Sequence, residues 1–274
     1  MMTTFSVFPK FYQHLDPAGL AALVHETGLD TVNLVVREGY WITLDNMKSA
    51  VPPFMRAMEK AGLRVHFATA GFSVEQMRKD DSPLAILADH GVTDFRMDYF
   101  SVQGGDVRAS LEKARSEMGE MAEICARRQI RAILQLHHGR LITNSAAAWI
   151  VFRDLPAQWV GVEIDPGNQS HEGRENWSRA AQLLGEYLAA VGIKDTAPVQ
   201  NPEKAAEPSK GWSRPWAPIY EGETNWFDVA KALRATQFKG TLVFMPFYHA
   251  DDPAKMTETL KREVAYLRRV MAEI

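Results

Sequence analysis

Short apolar runs recur along the chain, each following a stretch with helical spacing. They are Phe5–Phe8, Thr31–Val36, Arg64–Thr69, Asp94–Met97, Ile130–Leu136, Val160–Ile164, Val191–Asp195 and Thr241–Met245. The runs are short and β-branched, the pattern of strands buried on both faces. Several are preceded by a glycine, as in Thr27-Gly28-Leu29, Ala61-Gly62-Leu63 and His90-Gly91-Val92. Glycine just past a helix end is the usual left-handed terminator, because it has no Cβ to clash. Between the runs, apolar residues fall at spacings of three and four. Leu111, Ala114, Met118, Ala122 and Cys125 share one face, and so do Met256, Leu260, Val264, Leu267 and Met271. Such stripes predict helices packed on a core.

Eight strand–helix units in 274 residues predict an α/β fold of one domain, a closed (β/α)₈ TIM barrel spanning 1–274. An open doubly wound sheet would carry a glycine-rich phosphate loop after its first strand. The segment Phe8–Tyr12 holds no glycine, and no G-x-x-x-x-G-K-[ST] occurs, so no nucleotide cofactor is expected. The segment Thr196–Pro218 breaks the rhythm with five prolines and with Trp212 and Trp216. A loop of that length in a compact domain tends to be functional. It is a candidate lid or subunit contact, the latter implying a homo-oligomer.

Charge narrows the partners. The chain carries 31 Lys+Arg against 34 Asp+Glu, a net −3, so no basic surface for nucleic acid or an anionic membrane is expected. No apolar run reaches the ~20 residues of a bilayer span, and Met1–Pro9 shows no signal-peptide pattern. Cys125 is the sole cysteine, which excludes an internal disulfide and a thiolate metal cluster. A cytoplasmic protein is expected.

Barrel enzymes place their chemistry at the C-terminal ends of the strands. Here those ends carry Lys10, then Arg37 and Glu38, Thr69, Asp98 and Tyr99, Gln135 with His137 and His138, Asp165 and Asn168, Lys194 and Asp195, and finally Met245 with Tyr248 and His249. Polar residues at seven of the eight ends converge on one mouth, which predicts a site for a small polar ligand.

Five phrases carry a resemblance. Asp30–Gly39 looks like the second strand of sugar phosphate isomerase/epimerase proteins. Leu134-Gln135-Leu136-His137-His138-Gly139 is similar to a fifth-strand motif of that group. Glu163-Ile164-Asp165-Pro166-Gly167-Asn168 resembles its sixth-strand Asp-x-x-His, and Val191-Gly192-Ile193-Lys194-Asp195 resembles its seventh-strand His-x-Lys-Asp. Glu221–Trp226 is similar to its Gly-Glu-Gly-x-x-Asp-aromatic turn. The phrases run in family order through nearly the whole chain. The family is the xylose isomerase-like TIM barrel, which also contains AP-endonuclease family 2.

The resemblance implies a sugar or sugar acid as ligand and a divalent ion (Mn²⁺, Mg²⁺ or Zn²⁺) held by Glu, Asp, His and Glu on strands five to eight. The corresponding positions are Gln135, Asp165, Gly192 and Met245, of which Asp165 alone is charged. A set rebuilt from Gln135, Asp165, His171 and Glu221 is the other candidate. Isomerisation or epimerisation next to a carbonyl needs a base, an acid and a group to hold the enediolate oxygen. Glu221 or Asp165 is a candidate base. Lys194, Lys10 or a histidine such as His137 is a candidate for the enediolate, with Lys194 placed best, inside the seventh-strand phrase. Lys10, Arg37, His138, Asn168 and Tyr248 are candidate substrate contacts, Arg37 through its planar fork to a carboxylate or phosphate. Two other functions remain open: a diverged barrel, non-catalytic or lyase-type, that binds a sugar-like ligand, and a nuclease. Gln135, Asn168, Gly192 and Met245 do not supply the zinc cluster of the latter.

Overall fold

The computed structural model describes residues 3–274. Its barrel strands are Thr4–Val7, then Thr31–Val32 continued by Leu34–Val35, Phe67–Thr69, Asp94–Arg96, Arg131–Gln135, Val160–Ile164, Leu188–Ile193 and Thr241–Phe244. Every pairing among them is parallel. The ladder begins on Thr31–Val32 and ends on Leu34–Val35. These are two halves of one chain stretch, so the sheet closes on itself. At the junction the buried Asn33 accepts from Ser6 Oγ at 2.5 Å and donates to Thr69 Oγ1 at 3.2 Å, tying the first strand to the third from inside.

Helices pack on the outer face, and the two apolar stripes are the buried sides of Val107–Arg128 and Pro253–Ala272. After Pro17–Thr27 the chain turns at Gly28, whose φ of 73° is the left-handed conformation expected there. Where a helix end lacks glycine, Gln129 and Gln237 adopt positive φ instead. Among the described residues no helix is long and apolar enough to cross a membrane.

Most strand boundaries differ from the sequence expectation by a residue or more. The third strand starts at Phe67, not Arg64, and the eighth ends at Phe244. The seventh starts at Leu188, because Trp177–Leu184 ends at Gly185 and a single tight turn, Gly185–Tyr187, leads straight into the sheet. The proline-rich segment is also more regular than expected. Asp195–Thr196 pairs antiparallel with Trp216–Ala217, and Val199–Gln200 pairs with Trp212–Ser213. These pairs fold it into a ribbon rising from the end of strand seven, with Trp216 at its base and Trp212 half exposed at 54%.

Candidate functional site

The C-terminal end of the barrel holds a buried polar cluster built on Asp165. Asp165 directly follows strand six and caps the short helix Pro166–Ser170, its Oδ1 accepting from the Asn168 backbone N–H at 2.8 Å. Proline at the first helical position suits this cap, having no N–H to satisfy. The other oxygen, Oδ2, meets three nitrogens: Gln135 Nε2 at 2.6 Å, Asn168 Nδ2 at 2.9 Å and the Lys194 ammonium at 3.2 Å. Lys194 also donates to Asn168 Oδ1 at 2.8 Å. Asp165 and Asn168 are fully buried, and Lys194 is 4% exposed.

The amide of Gln135 is oriented by its neighbours. Its Oε1 accepts from Tyr99 Oη at 2.5 Å, and its Nε2 also faces Met245 Sδ at 3.6 Å. Turning the amide over would set its oxygen against the Asp165 carboxylate, so the network decides the orientation. Above Lys194, the Trp216 ring centroid lies 4.3 Å and the Phe247 centroid 4.9 Å from Nζ. Burial lowers the Lys194 pKa from its ordinary value, and the Asp165 charge opposes that shift.

A histidine stack flanks the cluster. His137 and His138 stack with centroids 4.5 Å apart, and the His171 ring lies tilted against His138 with centroids 4.4 Å apart. His137 Nδ1 donates to the His138 carbonyl at 2.7 Å, and His138 Nδ1 donates to Asn168 Oδ1 at 3.1 Å. In neutral His137 this leaves Nε2 as the acceptor nitrogen. Burial drives the His137 pKa down to about 4, so its imidazole is neutral at pH 7.

One layer deeper lies a pair that sequence reasoning overlooked. Glu163 is fully buried, its Oε2 is 3.8 Å from Arg96 Nη1, and neither carboxylate oxygen has a hydrogen-bond partner among the described residues. Burial pushes its pKa up to about 7. Glu163 stands two residues before Asp165, and alternate residues of a strand share a face. A charged residue inside a run read as doubly buried was the available signal, and it applies equally to Arg96.

The other expected contacts divide into two groups. Lys10 and Arg37 stand beside the cluster, against Phe247 and Phe8 respectively. Tyr248 and Glu221 stand away from the polar cluster. Tyr248 is buried, and its hydroxyl donates to Glu263 of the C-terminal helix. Glu221 is exposed and lines a surface cleft with Tyr220, Tyr248 and Arg262.

These residues do not fit the implied divalent ion. Asp165 Oδ2 is surrounded by N–H donors, and Gln135 presents its nitrogen to the site, not its oxygen. Gly192 supplies no ligand. A Cβ there would come 2.9 Å from Asp165 Oδ2, closer than a side chain can pack, so glycine lets the backbone approach the carboxylate. Met245 offers a thioether, which suits soft ions and not Mg²⁺ or Mn²⁺. The rebuilt set fares no better: His171 packs edge-on to Trp216 with centroids 5.3 Å apart, and Glu221 stands on the surface. Among the described residues no three His, Cys, Asp or Glu side chains are grouped to hold a metal. The cation against Asp165 is the lysine.

No curated protein is significantly similar to this chain in sequence. Solved structures share its fold at low identity. A D-psicose 3-epimerase from Clostridium cellulolyticum H10, with D-tagatose, superposes with a TM-score of 0.72 at 13% identity, over 98% of this chain and 99% of that one. The 3-keto-D-glucoside 4-epimerase of E. coli gives a TM-score of 0.70 at 15% identity, over 97% and 99%. A xylose isomerase-like protein from Mycobacterium smegmatis, in complex with magnesium, gives a TM-score of 0.67 at 17% identity, over 98% and 97%. The family model described as xylose isomerase-like TIM barrel matches residues 21–270. With the barrel and the strand-end site in place, this chain belongs to the xylose isomerase-like TIM-barrel family.

Proposed function

We propose that the protein is a sugar or sugar-acid isomerase or epimerase that works through an enediolate, with the Lys194 ammonium in the electrophilic role. One observation carries this reading: a buried ammonium held by Asp165 and Asn168 under an aromatic roof at the catalytic end of the barrel. The solved structures of similar fold include sugar epimerases.

In this scheme the substrate carbonyl oxygen accepts a hydrogen bond from Lys194, whose third proton is not committed to Asp165 or Asn168. His137 Nε2 takes the proton from the adjacent carbon, the Nδ1–H being anchored on the His138 carbonyl. The electron pair moves onto the oxygen facing Lys194, giving the enediolate. The His137 imidazolium returns the proton to the former carbonyl carbon while the neighbouring hydroxyl proton passes to the oxygen facing Lys194, completing isomerisation. In epimerisation the original carbon is reprotonated on the other face by solvent, and His137 releases its proton to water. A fixed charge in a low-dielectric pocket stabilises such an oxyanion without reorganisation. Glu221, exposed outside the cluster, has no part in this scheme.

The test is turnover of a panel of keto-sugars and uronates by wild type and Lys194→Met. Removing a preorganised oxyanion donor typically lowers kcat by about 10²–10³, and a variant with full turnover would refute the role. A second reading, a sugar-binding barrel without catalysis, is favoured by the near-complete burial of Lys194. Ligand binding without turnover anywhere in the panel would select it.

A further inference from the structure

Four cations converge on two aromatic rings at the barrel mouth, and they are unequally neutralised. Lys194 and Lys10 share the Phe247 ring, with Nζ 4.9 and 4.4 Å from its centroid. Arg96 and Arg37 share the Phe8 ring, with Cζ 4.8 and 5.7 Å from its centroid. The two rings touch, their centroids 6.2 Å apart. Lys194 has Asp165 and Arg96 has Glu163. Among the described residues Lys10 and Arg37 are in no ion pair, and the neighbouring Tyr40 spends its hydroxyl on the Lys10 carbonyl at 2.9 Å.

Lys10 is half-buried and Arg37 exposed at the rim, so bringing these unpaired like charges together is costly chiefly at Lys10 unless something neutralises them. The Lys10 pKa shows this cost: burial lowers it, with repulsion from Arg37 and Arg96 adding to the shift. Cation–π contact with Phe8 and Phe247 offsets only part of it. An Arg fork beside a Lys point charge, both open to the mouth, is a donor set for a carboxylate or a phosphate.

We infer that Lys10 and Arg37 form a subsite for the anionic end of the substrate, so that the ligand is an acidic sugar, carboxylated or phosphorylated, and not a neutral one. This rests on the proposed function for the placing of the reactive carbonyl near Lys194. The anionic end then lies across Phe8 and Phe247 from the reacting carbons. A neutral sugar would leave both cations without a partner.

The experiment is equilibrium binding by calorimetry at fixed ionic strength, using D-gluconate, inorganic phosphate and neutral D-fructose. The expected result is binding of an anion more tightly than D-fructose, weakened at least about tenfold, or 1.4 kcal/mol, in Lys10→Gln/Arg37→Gln. Preference for gluconate assigns a carboxylate, and preference for phosphate assigns a phosphorylated end. D-Fructose binding as tightly as either anion, or anion binding unchanged in the double variant, overturns the inference. Should that variant not fold, the wild type decides: gluconate affinity falling steeply with salt supports the subsite, and salt-independent affinity overturns it. Turnover retained by Lys194→Met would remove the enediolate scheme while leaving the anion measurement intact, so the two failures are distinguishable.

Discussion

At the scale of single residues, Asp165 Oδ2 organises the site because three nitrogens compete for it and one carries a charge. Burying an ion pair is expensive, and breaking one by removing a single partner typically costs about 3–5 kcal/mol because the other charge stays buried. Lys194→Met should therefore destabilise the protein strongly in chemical denaturation. The pair Lys194→Met/Asp165→Asn, which removes both charges, should recover most of that loss. A loss in the double variant equal to the sum of the losses in Lys194→Met and Asp165→Asn would show that the two groups are not coupled. Asp165, Asn168 and Lys194 were all legible as strand-end residues. Their mutual bonding was not, because it depends on strands six and seven lying side by side. Arg96 and Glu163 were hidden for the opposite reason, since both lie within strands whose apolar neighbours dominate the pattern.

At the scale of elements, the C-terminal helix Pro253–Ala272 is pinned to the loops above it by one buried carboxyl. Glu263 accepts from the Ile219 backbone N–H at 2.8 Å and from the Tyr248 hydroxyl. Burial raises its pKa from 4.5 to about 8. The folded protein thus keeps this proton at pH values where the unfolded chain has released it, so stability present below pH 4.5 is lost as the pH rises towards 8. Glu263→Gln does not titrate; its amide oxygen can accept from Ile219 N–H while its amide nitrogen donates to the Tyr248 hydroxyl, reversing that bond. The stability of wild type relative to this variant should fall across that window and level off above it. A constant difference from pH 4 to 9, measured by thermal unfolding, would contradict the assignment. Periodicity revealed the buried face of this helix. It could not reveal that Tyr248 is used here, because its neighbour in sequence, Phe247, turns the other way to roof Lys194. The proline-rich ribbon is similar: its composition marked it as special, but its pairing with Asp195–Thr196 requires a return path visible only in three dimensions.

At the scale of the whole molecule, closure of the barrel brings strand ends that are far apart in sequence to one mouth. Lys10 and Lys194 meet on the ring of Phe247. The same closure aligns Gln135, Asp165, Gly192 and Met245 on four consecutive strands, where the family resemblance implies metal ligands. This chain fills that place with a lysine. Added Mn²⁺, Mg²⁺ or Zn²⁺ should therefore leave the thermal unfolding midpoint unchanged, and EDTA should leave turnover unchanged. A site occupied at 100 times its Kd would instead stabilise the fold by about 2.7 kcal/mol, and a shift of that size would refute the metal-free reading.

The sequence by itself determined the barrel, the order of its strands and the identity of the polar residues at their ends. Those features follow from local periodicity, from strand and helix lengths and from the rule that such barrels present their strand ends to a ligand. Only the tertiary structure decided which of those residues act together. Hydrogen bonds and burial depend on side-chain direction and on neighbours tens of residues away. They set Lys194 against Asp165, bonded Tyr248 to Glu263, left Glu221 in solvent and left Lys10 and Arg37 unpaired at the mouth.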